Sequence, residues 1–148
     1  MNRLIVKLAA LTIAPVLFTG CVSGNSTYQP QATDMQLAVY AGQANYPYDT
    51  AAEMAPHIFA SIAPDSTITL WNAGADPVNS FELWVNKLYT IHVEKLDGGS
   101  AVSIAPGTVF NKKAEMLKDV PPKSLTTIQI YVPATQKLWD VQGPILPK

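Results

Sequence analysis

The only cysteine among the 148 residues, Cys21, is the side chain best placed for covalent chemistry. It closes the segment Leu17-Phe18-Thr19-Gly20-Cys21, after an apolar run that follows two basic residues. A basic start, a short apolar run and small residues before a cleavage point are typical of a secretory signal. The run is too short for a transmembrane helix, which needs about 20 apolar residues. We therefore predict that residues 1–20 are a signal peptide and that cleavage leaves Cys21 first.

The same five residues resemble the lipobox of bacterial lipoproteins, whose cysteine receives a diacylglyceryl thioether and is N-acylated after cleavage. The resemblance implies that Cys21 is the lipid attachment site. Phe18 stands where the lipobox usually has leucine, and Leu17 lies one step earlier. The alternative is an ordinary signal cut nearby that leaves a free Cys21 thiol. An unpaired thiol is a hazard in an oxidising compartment, so we expect lipidation.

A lipid anchor would decide where the protein is held. Each buried methylene contributes about 0.8 kcal/mol, so two or three acyl chains hold a domain firmly at a membrane. Val22 and Ser23 follow the cysteine, without the aspartate that resembles an inner-membrane retention signal. We expect a protein of the bacterial cell envelope, on the outer membrane facing the periplasm if the source is Gram-negative.

Enzymatic chemistry has little support in the sequence. His57 and His92 lie 35 residues apart, without metal-ligand spacing. We find no G-x-S-x-G elbow, no glycine-rich phosphate loop and no paired-carboxylate motif. We expect solvated histidines, no catalytic residues, no metal and no cofactor, with an envelope enzyme as a remote alternative.

Composition excludes a further class of partner. Removal of residues 1–20 leaves eight lysines, no arginine and eleven acidic residues, a formal charge of −3. Without guanidinium groups to grip phosphates or base edges, nucleic acid is not expected as a partner. The mature chain has one domain's length and no second cysteine for an internal disulfide, so packing alone must hold the fold.

The first residues after the signal read as poorly ordered. Residues 21–34 are polar and predict a flexible tether behind the lipidated cysteine. Residues 35–56 predict an irregular segment that packs on the domain. Within it, Met35, Leu37 and Val39 alternate as in a short strand, and Asp49 could cap a helical turn over residues 50–54.

From His57 the apolar residues repeat with period 2, which predicts a β domain over residues 57–141 and a tail over 142–148. Short runs separated by turns rich in Gly, Pro, Asn and Asp indicate an all-β antiparallel sandwich. One hairpin allows a register to be predicted. Phe81, Leu83 and Val85 share a face with Tyr89, Ile91 and Val93 only if the loop is Asn86-Lys87-Leu88.

A resemblance follows from Trp71-Asn72, the turn Gly74-Ala75-Asp76-Pro77, Trp84-Val85-Asn86 with Tyr89, Leu96-Asp97-Gly98-Gly99 and Ile128-Gln129-Ile130-Tyr131. The pattern is similar to small Ig-like domains of bacterial envelope proteins, including FxLYD-type and related uncharacterised β-sandwiches. The resemblance covers roughly residues 57–141. It implies an Ig-like β-sandwich, and it carries no functional residues.

Two surfaces could bind something. The loop from Asn111 to Ser124 holds four lysines, and it could lean on anionic lipid headgroups or simply be solvated. On the predicted alternation Trp71, Trp84 and Tyr131 point outwards, where they could stack on sugar rings or grip a protein. The alternative, which we expect, is that residues 35–50 cover Trp71 and Trp84. We therefore expect a lipid-anchored structural or protein-interaction module, or alternatively a peptidoglycan-binding module using an aromatic face.

Overall fold

The computed structural model of the protein describes residues 26–145, which form a mostly β structure with one α-helix. The first elements are β1 (Ser26–Thr27), α1 (Asp34–Gln43), β2 (Ala52–Ile62) and β3 (Ile68–Asn72). Then come β4 (Val78–Val85), β5 (Tyr89–Leu96), β6 (Ala101–Ile104), β7 (Ile128–Val132) and β8 (Lys137–Ile145). Three short 3₁₀ turns, Pro106–Thr108, Leu117–Asp119 and Pro122–Ser124, lie between β6 and β7.

All eight strands belong to one curled sheet, in the order β1-β6-β3-β2-β8-β7-β4-β5. Neighbours are antiparallel except β1 with β6 and β2 with β8, which are parallel. The alternating apolar side chains of both halves of the sheet meet in one cluster. Its fully buried members include Ile58, Ile68, Leu70, Ile104, Phe81, Leu83, Ile91 and Ile130.

Strand β2 connects the two halves of the sheet. It pairs with β3 from Ile58 to Ile62 and with β8 along its other edge, and the second pairing shifts register between Met54 and Phe59. His57 lies inside this shift with a φ of 63°. Five residue steps on β2, from Met54 to Phe59, match two on β8, from Asp140 to Gln142. Extra residues of this kind bend a strand locally, which allows one strand to pair in both halves of the sheet.

The predicted β4–β5 register is confirmed. Val85 lies opposite Tyr89, Leu83 opposite Ile91 and Phe81 opposite Val93. The loop is Asn86-Lys87-Leu88, and its first two residues have φ values of 51° and 61°. The register agrees with burial, because a two-residue loop would pair Leu83 with Thr90 and turn one apolar set to solvent.

The strand predicted over residues 35–39 is wrong, since these residues belong to α1. Thr33 caps this helix: its hydroxyl accepts from the Gln36 N–H at 3.3 Å, and the Gln36 side chain accepts from the Thr33 N–H at 2.8 Å. Leu37 and Ala41, four residues apart, are buried. The capping box and the four-residue spacing of the buried side chains therefore favour a helix over the strand that the short alternation of Met35, Leu37 and Val39 predicted.

The predicted helical turn over residues 50–54 is also wrong, because β2 begins at Ala52 and the sheet starts before His57. Strand β8 runs on to Ile145 and so takes in part of the predicted tail. The flexible tether predicted over residues 21–34 is also wrong in its second half, since Ser26 and Thr27 pair with β6. The Tyr28 hydroxyl then donates to the His92 carbonyl on β5 at 3.0 Å, which links the two ends of the sheet.

Candidate functional site

The structure separates the three aromatic residues that the sequence placed on one outer face. Trp84 and Tyr131 belong to a small aromatic cluster with Tyr46 and Leu138. Trp71 lies on β3, outside that cluster. The three side chains therefore do not form a single exposed platform.

Trp84 is covered, as predicted, by a residue of the segment 35–50. The Tyr46 ring stands at 90° to the indole with ring centroids 5.5 Å apart, and Trp84 is 1% exposed. The indole N–H donates to the Glu82 carboxylate at 2.9 Å. The Tyr46 hydroxyl donates to the Gln129 side-chain oxygen at 2.6 Å, so the covering ring is fixed at its far end.

Trp71 is not covered, and the prediction that residues 35–50 bury it is wrong. It faces Phe59 across the β2–β3 pair, with ring centroids 5.5 Å apart and planes tilted by 34°. Trp71 is 50% exposed and Phe59 36% exposed. The reason is that α1 and Tyr46 pack against β5 and β4, which lie in the other half of the sheet. We call these two side chains the aromatic pair.

A cleft of about 440 Å³ opens beside the covered tryptophan. Tyr46 and Trp84 line its inner part, and the Tyr48 ring, 74% exposed, stands edge-on to Tyr46 with centroids 4.8 Å apart. The β4–β5 loop and the turn at residues 111–115 form its other walls. The remaining lining residues are Asn45, Lys87, Leu88, Tyr89, Asn111, Lys112, Lys113 and Glu115.

Three of the eight lysines that follow Cys21 line this cleft. Lys87 Nζ lies 5.6 Å from the centre of the Tyr46 ring, a distance that permits a cation–π interaction. Lys112 Nζ donates to the Asn45 side-chain oxygen at 2.8 Å. Glu115 is the only acidic residue of the lining. The cleft is therefore cationic on a chain whose mature form carries net negative charge.

Two asparagines fix the walls of the cleft. The Asn86 side chain donates to the Ser124 carbonyl at 2.7 Å and accepts from the N–H groups of Thr126 and Thr127 at 2.9 and 3.1 Å. The Asn111 side-chain oxygen accepts from the N–H groups of Lys113 and Glu115 at 2.9 and 3.0 Å. Both lysine-bearing loops are thus held by side-chain hydrogen bonds to the backbone, which preorganises the cleft.

His92 lies on the outer face of β5, opposite Glu82 as the register predicted. The Tyr40 ring of α1 contacts it edge-on, with centroids 6.2 Å apart. Burial raises the pKa of the Tyr40 hydroxyl, and the nearby Glu82 carboxylate raises it further. The contact between Tyr40 and His92 therefore packs α1 against the sheet, and the raised pKa keeps the Tyr40 hydroxyl neutral.

His57 does not belong to this group, because it lies exposed in the irregular part of β2. In residues 26–145, no three histidine, cysteine or acidic side chains come together as metal ligands would. The same residues contain no helix long and apolar enough to cross a membrane. Cys21, the predicted attachment site, lies outside the described residues.

Sequence reasoning missed the cleft. Tyr48, Lys87 and Lys112 come from three separate segments, and no single stretch of sequence connects them. A weak signal was present in two Asn-Lys pairs, Asn86-Lys87 and Asn111-Lys112, because asparagine favours turns and each pair places a lysine beside one. The Lys-rich loop, which the sequence assigned to solvent or lipid headgroups, contributes Lys112 and Lys113 to the lining.

Comparisons of the chain with models of protein families, with curated proteins and with solved structures gave no match. The candidate site therefore rests on its own geometry and chemistry.

Proposed function

We propose that this chain is a lipid-anchored protein of the bacterial cell envelope that acts as a non-enzymatic binding module. The lipobox-like segment before Cys21 supports the anchor. Acyl chains on that cysteine would hold the domain at the membrane surface, and on the outer membrane facing the periplasm in a Gram-negative source.

We further propose that the curled sheet is an Ig-like sandwich. One half would contain β6, β3 and the end of β2, and the other β8, β7, β4 and β5. Two features support this arrangement: β2 pairs antiparallel with β3 and parallel with β8, and apolar residues of both halves share one core. Such a scaffold carries function in its loops, which is where the cleft lies.

The cleft between Tyr48, Lys87 and Lys112 is the observation that carries the binding function. Its volume of about 440 Å³ suits a ligand or an inserted side-chain cluster. The described residues that line it include no histidine, cysteine, serine or threonine, and a single carboxylate. This set offers contact surface and positive charge, without the serine, cysteine or threonine nucleophile and histidine base of the common hydrolases.

A protein of the envelope is the partner that we favour. Tyr48 and Leu88 are 74% and 58% exposed on the rim. Tyrosine is enriched among the residues that carry most of the binding energy in protein interfaces, so Tyr48 would serve as the anchor and Leu88 would add apolar contact area. The lysines beside them would choose an acidic partner surface and speed its approach. The aromatic and aliphatic rim supplies the contact area, and the charge supplies the selectivity.

Peptidoglycan is the second candidate, and the Tyr48 ring favours it. An exposed aromatic face can stack on the C–H groups of a sugar, and the adjacent lysines could pair with carboxylates of a muropeptide. The binding surface would then be this cleft rather than the face formed by Trp71, Trp84 and Tyr131 that the sequence indicated.

A photo-crosslinking amino acid at Leu88 of the full chain, in its native membrane, tests the proposal. We expect one envelope protein to be captured at Leu88 and not from the exposed control position Lys137. The double charge reversal Lys87→Glu and Lys112→Glu should abolish that product. Capture that is identical at both positions, or insensitive to the reversal, would count against the cleft as the interface.

A titration of the acylated protein with purified muropeptides separates the second candidate. Glycan binding predicts saturable quenching of tyrosine or tryptophan emission that Tyr48→Ala removes. The matched control is Phe59→Ala, which replaces an exposed aromatic side chain on β2, outside the cleft. Saturation that Phe59→Ala removes and Tyr48→Ala leaves intact would place the glycan elsewhere.

A further inference from the structure

The direction of β1 fixes the side from which the anchor segment reaches the domain. Strand β1 is parallel to β6, with Ser26 beside Val102 and Thr27 beside Ser103. The chain therefore enters β1 from the end of the sheet at which β6 begins, at Ala101. We call this the entry end.

The aromatic pair lies at the same end. Trp71 is opposite Ala101 on β6 and opposite Phe59 on β2. Strand β1 is two strands away from β3, and neighbouring strands are about 4.8 Å apart, so roughly 10 Å separates the start of β1 from the Trp71 backbone. The two exposed aromatic rings are therefore close neighbours of the point where the chain comes in.

The connecting chain is short. Five residue steps separate Cys21 from Ser26, and an extended chain spans at most about 3.5 Å per residue, which gives a reach of about 17 Å. An acylated Cys21 would therefore keep the entry end within about 17 Å of the lipid headgroups. The 14-residue tether predicted from composition would have allowed the domain to turn freely, whereas five residues restrict it.

We infer that the aromatic pair, Phe59 and Trp71, is the membrane-contacting face of the anchored domain, with the lipid bilayer as its occupant. This inference rests on the proposed lipid anchor at Cys21. Tryptophan suits the headgroup region because its ring is apolar and its N–H is polar, and phenylalanine adds apolar area. The bilayer would bury two side chains that the described residues leave exposed.

The contact is apolar rather than electrostatic. The exposed ionic residues at this end include Asp76 and the Lys95–Asp97 pair, whose Nζ and carboxylate oxygen lie 2.6 Å apart. They provide no net positive charge to attract anionic headgroups. The contact should therefore persist at high salt, unlike one made by the Lys-rich loop at residues 111–124.

This orientation directs the cleft away from the lipid. Strand β4 starts near the entry end, since the short connection 73–77 joins it to β3, and its hairpin loop lies at the other end. Eight residues of strand span about 25 Å, so the loop bearing Lys87 and Leu88 faces the aqueous side. The anchor, the aromatic pair and the cleft would thus act as one oriented unit.

The test uses the acylated full chain in vesicles that mix phosphatidylcholine with anionic phosphatidylglycerol and carry brominated acyl chains, which quench tryptophan that reaches them. We expect bromolipid to reduce the tryptophan emission of the natural protein. Trp71→Phe should remove most of that loss, because Trp84 is buried and Trp139 is partly buried. The loss should be the same at low and high salt.

A spin label provides a second readout that does not depend on tryptophan. Acylation blocks the thiol of Cys21, so a cysteine introduced at the exposed position Ala73 or Leu88 is the only reactive one. We expect a nitroxide at Ala73→Cys to be shielded from a water-soluble relaxation agent, and one at Leu88→Cys to be accessible. The mass of the protein establishes acylation independently.

The outcomes separate the two claims. Protein that carries no lipid on Cys21 would contradict the anchor, and the inference would fall with it. Acylated protein with no bromolipid quenching and with both nitroxides accessible would overturn the inference alone and assign the aromatic pair to a protein partner. A shielded nitroxide at Leu88 with salt-sensitive contact would overturn it in favour of the Lys-rich loop.

Discussion

The Tyr46 ring stands perpendicular to the Trp84 indole, with centroids 5.5 Å apart, and closes the outer face of the sheet above it. A continuous polar chain fixes it there, because Tyr46 donates to Gln129 and Gln129 donates to the Asp140 carboxylate at 2.7 Å. The segment that follows α1 is therefore part of the folded unit. It also supplies Tyr48, and so the stability of this face and the shape of the cleft are coupled.

Removal of the Tyr46 ring should expose Trp84. We expect Tyr46→Ala to lower the free energy of unfolding by about 3–5 kcal/mol, the range for deletion of a buried aromatic ring. Tryptophan emission should shift to longer wavelength. Tyr46→Phe keeps the ring and loses only the hydrogen bond to Gln129, so it should cost about 1–3 kcal/mol without the shift.

Chemical denaturation followed by fluorescence measures both effects. A Tyr46→Ala protein with unchanged emission and stability would show that the ring does not cover Trp84 in solution.

Asn86 should be necessary for the shape of the hairpin loop. Its φ of 51° is tolerated by asparagine, and its side chain makes three hydrogen bonds to the backbone of residues 124–127. Asn86→Ala removes those bonds and strains the backbone, so we expect a loss of about 2–3 kcal/mol. Asn86→Gly, which relieves the strain alone, should recover part of it.

Thermal or denaturant unfolding of the natural protein and the two variants checks the expected order of stability, in which Asn86→Gly lies between the natural protein and Asn86→Ala. Equal stability of Asn86→Ala and the natural protein would contradict it.

Stability should fall at alkaline pH because of Tyr40. Burial, aided by the Glu82 carboxylate, raises the pKa of its hydroxyl in the folded protein above the unfolded value of about 10. The folded state thus disfavours the ionised form. The contribution is fully present below pH 10, and it is lost progressively as the pH rises above that value towards the folded pKa.

Free energies of unfolding measured from roughly pH 8 to roughly pH 11.5, which brackets the unfolded pKa of about 10, test the sign. Tyr40→Phe should show a shallower decline than the natural protein, while Tyr48→Phe, which replaces an exposed tyrosine, controls for the loss of a hydroxyl. A decline equally steep in Tyr40→Phe would mean that other groups cause it.

Much of the β structure could be predicted from the sequence because burial on one face enforces a period of 2. The β4–β5 register is the clearest case, since a slip of one residue would have taken either Leu83 or Ile91 out of the core. The segment around α1 was misread for a related reason. Met35, Leu37 and Val39 satisfy a strand pattern over five residues, yet Met35 and Val39 are exposed on the helix. The capping box at Thr33 was the stronger signal.

The cleft could not be predicted, because it depends on which half of the sheet α1 covers. The sequence indicated that the segment with Tyr46 and Tyr48 packs on the domain, and the alternation predicts that Trp71 and Trp84 both point outwards. In the structure, however, Trp84 is 1% exposed and Trp71 is 50% exposed. Only the three-dimensional path of residues 34–50 distinguishes them, and local periodicity carries no information on that path.

The proposed lipid anchor is tested most directly by the intact mass and the N-terminal peptide of the full-length protein isolated from its native membranes. We predict a chain that begins at Cys21, lacks residues 1–20 and carries acyl groups on that cysteine. Cys21→Ser should yield uncleaved or soluble protein without acyl label. A mature chain with a free Cys21 thiol, or unchanged acyl labelling and membrane partitioning in Cys21→Ser, would contradict the account.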